Sequence, residues 1–184
     1  MKRFIFALII AAGPVSANCP ASPDISSALD ALVAQAQAAP DETTGQGISD
    51  EMWLLWLKAP DAAAQEVLDR GMRARSSYDY LGAIEAFTDL ISYCPAYAEG
   101  YNQRAFIHFL REDYDAALAD LDAALARQPV HVGAQSGRAL TLMHLGRRAE
   151  ARQQLQAALA HNPWLSERFL MGQGGPLAPV GEEI

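Results

Sequence analysis

The chain has 184 residues, 51% of them hydrophobic and 20% charged, with a formal net charge of −8 at pH 7. An acidic surface of this kind is repelled by nucleic acid and by anionic lipid, and no basic block reverses it, so nucleic acid is excluded as a partner. The four histidines and two cysteines stand at no metal-ligand spacing, so neither a metal nor a cofactor is expected.

In chain order, the first element is a leader. Lys2 and Arg3 form a basic head, Phe4 to Ala12 is an unbroken apolar run, and Gly13, Pro14 and the small stretch Val15-Ser16-Ala17 follow. This is the layout of a secretory signal peptide over residues 1–17, with cleavage between Ala17 and Asn18. The apolar run is too short to span a bilayer. Asn18, directly before Cys19, is large and polar and argues against lipid attachment. Loss of the leader removes two positive charges, turning −8 into −10, and leaves 167 residues, enough for one domain with a modest core. The expected location is therefore exported, periplasmic or secreted, with no stable membrane insertion after cleavage. Cys19 and Cys94 both survive it. In an oxidising compartment an even count favours a bridge, here across 75 residues, the alternative being two unrelated thiols.

Residues 18–63 read as an N-terminal helical hairpin or cap. Its first helix covers 24–38, with Asp24, Ser26 or Ser27 as cap. Its second covers 49–58, with Ser49 or Asp50 as cap and a loop holding Gly45 and Gly47 before it. Beyond it a repeat takes over. Pro95, Pro129 and Pro163 are 34 residues apart, and at that period three units fall out: 64–97, 98–131 and 132–165. The eighth place of each unit is Gly71, Ala105 and Ala139; the twentieth is Ala83, Ala117 and Ala151; the twenty-fourth is Phe87, Leu121 and Leu155. Small residues recur where two helices approach closely, and large apolar ones where a gap is filled. Each unit reads as two helices, the second ended by proline; in the middle unit Ala117, Leu118, Leu121, Ala124 and Leu125 form an apolar helical stripe. Extending the frame back to 30–63 places Trp53 and Trp56 at the twenty-fourth and twenty-seventh places of a degenerate unit, with Gln37 where a small residue is expected. After Pro163 a short capping helix ends at residues 166–171, and the Gly- and Pro-rich residues 172–184 are expected to form a disordered tail.

The period and the residues Tyr101, Ala105, Tyr114, Ala117, Leu121, Ala124 and Pro129 resemble the tetratricopeptide repeat, and the middle unit resembles it most closely. The stretch AEGYNQRA with LREDYDAALADLD is similar to an exported bacterial subgroup of these proteins. The resemblance implies an all-α fold: a right-handed superhelical solenoid of antiparallel helix pairs, with a degenerate N-terminal pair and a short C-terminal capping helix. It implies a concave face lined by the first helix of each unit. On that face the family pattern places Met72, Asn102, Phe106, Phe109, Leu140, Met143 and His144, a largely apolar column suited to a peptide or an amphipathic helix of another protein. The family's carboxylate clamp needs basic residues and an asparagine where Glu99, Gln103 and Phe106 stand, so that clamp is absent. The competing expectation is that this face is covered by other parts of the same chain.

Arg70, Arg104 and Arg138 occupy the seventh place of each unit, where the family more often has leucine. Two readings stand: a guanidinium ladder that grips carboxylates, or stems packed between helices with heads paired to acids such as Asp89, Glu99 or Asp122. No nucleophile elbow, phosphate-binding loop or zinc motif occurs, so no enzyme is expected. The functional expectation is a non-catalytic interaction module, an exported adaptor or scaffold holding a segment of a cell-envelope protein in its groove. The alternative is a structural subunit of an envelope complex, or a self-associating solenoid, with no peptide ligand.

Overall fold

The computed structural model describes residues 19–179; the expected leader with its cleavage point at Ala17 and Asn18, and residues 180–184, lie outside the described residues. Among the described residues there are eight α-helices, one 3-10 helix and no strand. The helices are α1 (Ser26–Ala38), α2 (Glu42–Trp56), α3 (Ala62–Ser76), α4 (Tyr80–Tyr93), α5 (Ala98–Leu110), α6 (Tyr114–Arg127), α7 (Val132–His144) and α8 (Arg148–His161). The 3-10 helix is Ser166–Met171, where the sequence suggests a regular capping helix. No helix among the described residues is long and apolar enough to cross a membrane.

Local chemistry starts and stops these helices. Asp41, Asp61, Asp79 and Asp113 each stand at an N-cap and accept a hydrogen bond from an amide of the first turn, satisfying a donor that the helix itself leaves free. Asp24 has a similar role just ahead of α1, where it accepts from the Ser26 amide at 3.0 Å. The first and second helices of each repeat are joined by the same turn three times over. Tyr78 (φ 63°), Glu112 (φ 62°) and Gly146 (φ 76°) occupy its left-handed position. The next amide in each case reaches back five residues to a helix carbonyl: Asp79 to Ala74, Asp113 to His108 and Arg147 to Leu142, each at 2.9 Å. Only one of the three positions is glycine, so the other two carry the steric cost of a side chain there. Glu112→Gly is expected to raise stability by about 0.5–1 kcal/mol, the relief of that cost less the extra chain entropy of glycine. A urea denaturation midpoint that shifts upward at unchanged slope checks it.

Between repeats the helices mesh through the periodic small and large residues. Ala83, Ala105, Ala117, Ala124, Ala139, Ala151 and Ala158 are fully buried, and Phe87, Leu90, Leu121 and Leu155 fill the space beside them. Helix pairs α3–α4, α5–α6 and α7–α8 each build a local core that continues into the next.

The N-terminal hairpin departs from the expected register. Helix α2 starts at Glu42 rather than near Ser49, so Gly45 and Gly47 lie inside a helix and not in a loop. Gly45 is needed for contact: a Cβ there would stand 2.1 Å from Cγ of Trp164. The hairpin does not stack as a further repeat before α3. It lies along the ends of the repeats, against the loops that lead from one pair to the next. Leu29, Leu32, Ile48, Met52 and Trp56 form a core with Val132 at the start of α7. Gln37, too long and polar for the packing place that the repeat frame gives it, donates instead to the Ala160 carbonyl at 2.7 Å.

Each inter-repeat loop holds this hairpin. The Tyr97 hydroxyl donates to the Trp56 carbonyl at 2.6 Å; burial pushes that hydroxyl's pKa well up, so it stays a donor. The His131 ring stacks on Trp56 with centroids 4.1 Å apart. Trp164 donates from Nε1 to the Ala36 carbonyl at 2.9 Å, and Asn162 donates to the Ser49 hydroxyl at 2.7 Å. Cys19, just before α1, is bonded to Cys94 in the first of these loops.

The far end is closed by the chain's last described residues. An expected disordered tail does not describe residues 172–179: Leu177 is fully buried in the α7–α8 core, and Arg152 donates to the carbonyls of Leu177 and Ala178 at 3.0 and 2.8 Å. One well-placed leucine and two backbone acceptors outweigh the Gly- and Pro-rich composition there.

Candidate functional site

Helices α3, α5 and α7 line a concavity that narrows to a pocket of about 250 Å³. Its apolar wall comes from Phe106 and Phe109 of α5, Leu140 of α7 and Trp53 of α2. Phe106 is 44% exposed and Leu110, one turn on, 40%. With Phe109, Leu140 and Trp53 on the same wall, Phe106 belongs to a contiguous apolar surface that gains by being covered.

The residues expected to line the groove divide. Asn102, Phe106, Phe109 and Leu140 meet at this pocket. Met72 and Met143 do not reach its wall, because each packs against the core of its own repeat. His144 is exposed and stacks on Tyr114 at 4.8 Å, touching the groove only through the edge of Phe109 at 5.3 Å. Trp53, Gln103 and Glu167 line the pocket but fall outside the expected set. Trp53 arrives there because the hairpin lies across the repeats; a pair of tryptophans next to a frame lacking its small residue is the sequence signal for that departure.

At the base of the pocket Glu99, Asn102 and Gln103 of AEGYNQRA are drawn together and buried. Glu99 is 1% exposed and its carboxylate accepts three hydrogen bonds, from His131 Nε2 at 2.7 Å, from Asn102 Nδ2 at 3.1 Å and from Gln103 Nε2. His131 Nδ1 accepts from the Ala134 amide at 3.2 Å, so Nε2 carries the proton that goes to Glu99. Gln103 passes the network on by accepting from Arg75 at 2.7 Å, and Arg75 reaches the pocket rim with its guanidinium carbon 5.4 Å from the Phe106 ring centre. An unbroken run of contacts therefore joins Trp56 in the hairpin to Arg75 at the groove.

The arginine column is engaged within the chain. Arg70 meets Asp89 at 2.7 Å, with both side chains more than half exposed. Arg138 meets Asp122 at 2.6 Å and Gln154 at 3.0 Å. Arg104 binds Asp120 through two parallel bonds of 2.8 and 2.7 Å and also donates to Thr88. The hydrogen bond to Asp120 holds the Arg104 guanidinium's pKa above its ordinary value despite partial burial. These heads face the second helices, which leaves no ladder for an outside carboxylate. No group of three or more His, Cys, Asp or Glu side chains fit to hold a metal occurs among the described residues.

Comparison with known proteins adds a family to this geometry. A tetratricopeptide-repeat family model matches residues 108–164. A TPR repeat-containing protein of Rhizobium etli is 28% identical over 118 residues, 64% of this chain and 58% of the relative. The matched region thus spans little more than half of that relative's length. Among solved structures, the TPR2B domain of yeast Sti1, in its pHsp70 complex, is similar with a TM-score of 0.57 at 25% identity, covering 61% of this chain and 93% of that one. The second TPR domain of human RPAP3, in complex with the HSP70 peptide SGPTIEEVD, is similar with a TM-score of 0.54 at 25% identity, covering 56% and 86%.

Proposed function

Because the chain is a tetratricopeptide-repeat protein, we propose that it is an exported adaptor which holds a segment of a cell-envelope protein in the groove between α3, α5 and α7. The coarser statement, a protein-interaction module of a fold whose similar members are seen bound to peptides, rests on the comparisons. The observation that carries the finer one is the open apolar pocket at Phe106, Phe109 and Leu140, where large apolar side chains from two repeats meet on one wall. Export is supported by the leader-like residues 1–17 and by the bond between Cys19 and Cys94, which suits an oxidising compartment. The module is non-catalytic in this reading, and it acts by positioning what it binds.

A second reading, a structural subunit without a peptide ligand, draws on other exposed apolar residues. Leu54, Tyr78 and Leu81 are 70–80% exposed and none of them lines the pocket. The two readings separate in one experiment. The full chain is exported into a bacterial periplasm, crosslinked and recovered, beside Phe106→Asp with Phe109→Asp in the same chain. Circular dichroism is expected to be unchanged, and the crosslinked partner is expected with the native protein and absent from the variant. The same partner on both would move the working surface to Tyr78 and Leu81.

A further inference from the structure

Arg75 and Glu167 are the two charged residues on the pocket wall, and neither has an ion-pair partner among the described residues. This sets them apart from the arginine column, where every guanidinium meets a carboxylate, and from Glu99, whose oxygens are met by three donors. Arg75 is steadied by a neutral group, the Gln103 carbonyl oxygen, and by the face of Phe106. Glu167 takes one hydrogen bond, from the neighbouring Ser166 hydroxyl at 3.2 Å. Arg75 stands at the end of α3 and Glu167 on the 3-10 helix, with the apolar floor of Phe106, Phe109 and Leu140 contributed by α5 and α7. The groove is thus positive on one flank, apolar in the middle and negative on the other. Each charge is held beside low-dielectric walls, where a complementary charge gains more than it would in open water.

We infer that the pocket takes a large apolar side chain of a peptide segment that carries a carboxylate toward Arg75 and a cationic side chain toward Glu167. The inference rests on the groove reading and adds to it a polarity: the segment lies one way round. A volume of about 250 Å³ suits one anchoring side chain, whereas enclosed small-molecule sites run to roughly 300–1,000 Å³. Opposite charges at the two flanks reject a reversed segment by like-charge contact at both ends, which specifies direction more strongly than either attraction alone.

The test is selection of phage-displayed random dodecapeptides on the full chain, with the Phe106→Asp, Phe109→Asp protein as the counter-selection. Enriched peptides are expected to carry a large apolar residue with Asp or Glu on one side and Lys or Arg on the other, in a constant order. For a synthetic capped peptide of that pattern, measured by fluorescence anisotropy, Arg75→Glu and Glu167→Lys are each expected to weaken binding roughly three- to tenfold. The double variant is expected to prefer the same peptide with its acidic and basic flanks exchanged. Peptides that need Phe106 and Phe109 but show no charge order, or bind the charge variants equally well, overturn the polarity while leaving the groove in place. Absence of enrichment over the counter-selected protein overturns both. Displacement of the selected peptides by a synthetic peptide of residues 180–184 would give the groove to the chain's own terminus and overturn the inference as well.

Discussion

Replacing Cys19 and Cys94 together by serine is expected to lower the unfolding free energy by about 4 kcal/mol, read from urea denaturation of the oxidised native protein beside the variant. The bond closes a loop of 75 residues, and a cross-link over that span removes a large share of the freedom of the unfolded chain. It also tethers the start of α1 to the first inter-repeat loop, while the rest of the hairpin is held by side-chain to backbone contacts at Tyr97 and Trp164 and by the stack on His131. The variant should therefore lose its hairpin first. Trp53 and Trp56 emission would shift to longer wavelength at lower urea than the far-ultraviolet circular dichroism changes. A destabilisation under about 1 kcal/mol, with the two signals coincident, would show that the hairpin is held without the bond and that loop closure contributes little here.

The second large effect is expected at Glu99. Its carboxylate, 1% exposed, is the common acceptor for His131, Asn102 and Gln103, so Glu99→Ala takes the shared partner from three donors and opens a void. Each buried donor left unpaired costs about 1–3 kcal/mol, and some relaxation will recover a share of it, so the expected loss is about 3–5 kcal/mol. Removal of His131 in the same chain should then cost less than it does alone, because its Nε2–H partner is already gone; a double-mutant cycle measures that coupling. Additive losses in the cycle would mean that the two side chains act independently and that the stack of His131 on Trp56 is the larger share of its contribution.

The repeats are legible in the sequence because their signal is periodic. One alanine or leucine read wrongly changes little when Ala83, Ala117 and Ala151 recur at the same place in three units. The hairpin is legible as two helices but not as to where it packs. Nothing local distinguishes a helix pair that continues a stack from one that folds along its edge. The contacts that decide it join residues far apart, such as Gln46 and the Trp164 carbonyl. Only half of the pocket can be read from the repeats. Phe106 and Leu140 follow from the repeat frame, but Trp53 and Glu167 come from the two flanks, which the frame does not reach. The frame turns Asn102 toward a partner, yet its amide donates to Glu99, because a buried carboxylate is a stronger demand than an open surface. Residues 172–179 differ from expectation for a related reason: composition describes average solvation, whereas Leu177 has one specific place to go.

Repeat arrays ordinarily behave as springs, since each unit touches only its neighbours and stability is nearly a sum along one dimension. The hairpin removes that property. By touching the loops at Tyr97, His131 and Trp164 at once, it joins the beginning of the array to its end, with contacts as far as 128 residues apart in sequence. Bending of the superhelix now requires those contacts to slide or break, so the spacing between α3 and α7, and with it the width of the groove, is held as a strut holds a bow. Local fraying of one terminal pair, the usual low-energy fluctuation of such arrays, would have to open the strut as well. Hydrogen-exchange protection should accordingly be nearly level across α3 to α8 instead of falling toward the ends. Folding is expected to be slower than that of an open array, because these long-range contacts carry a loop-closure entropy that neighbour contacts do not.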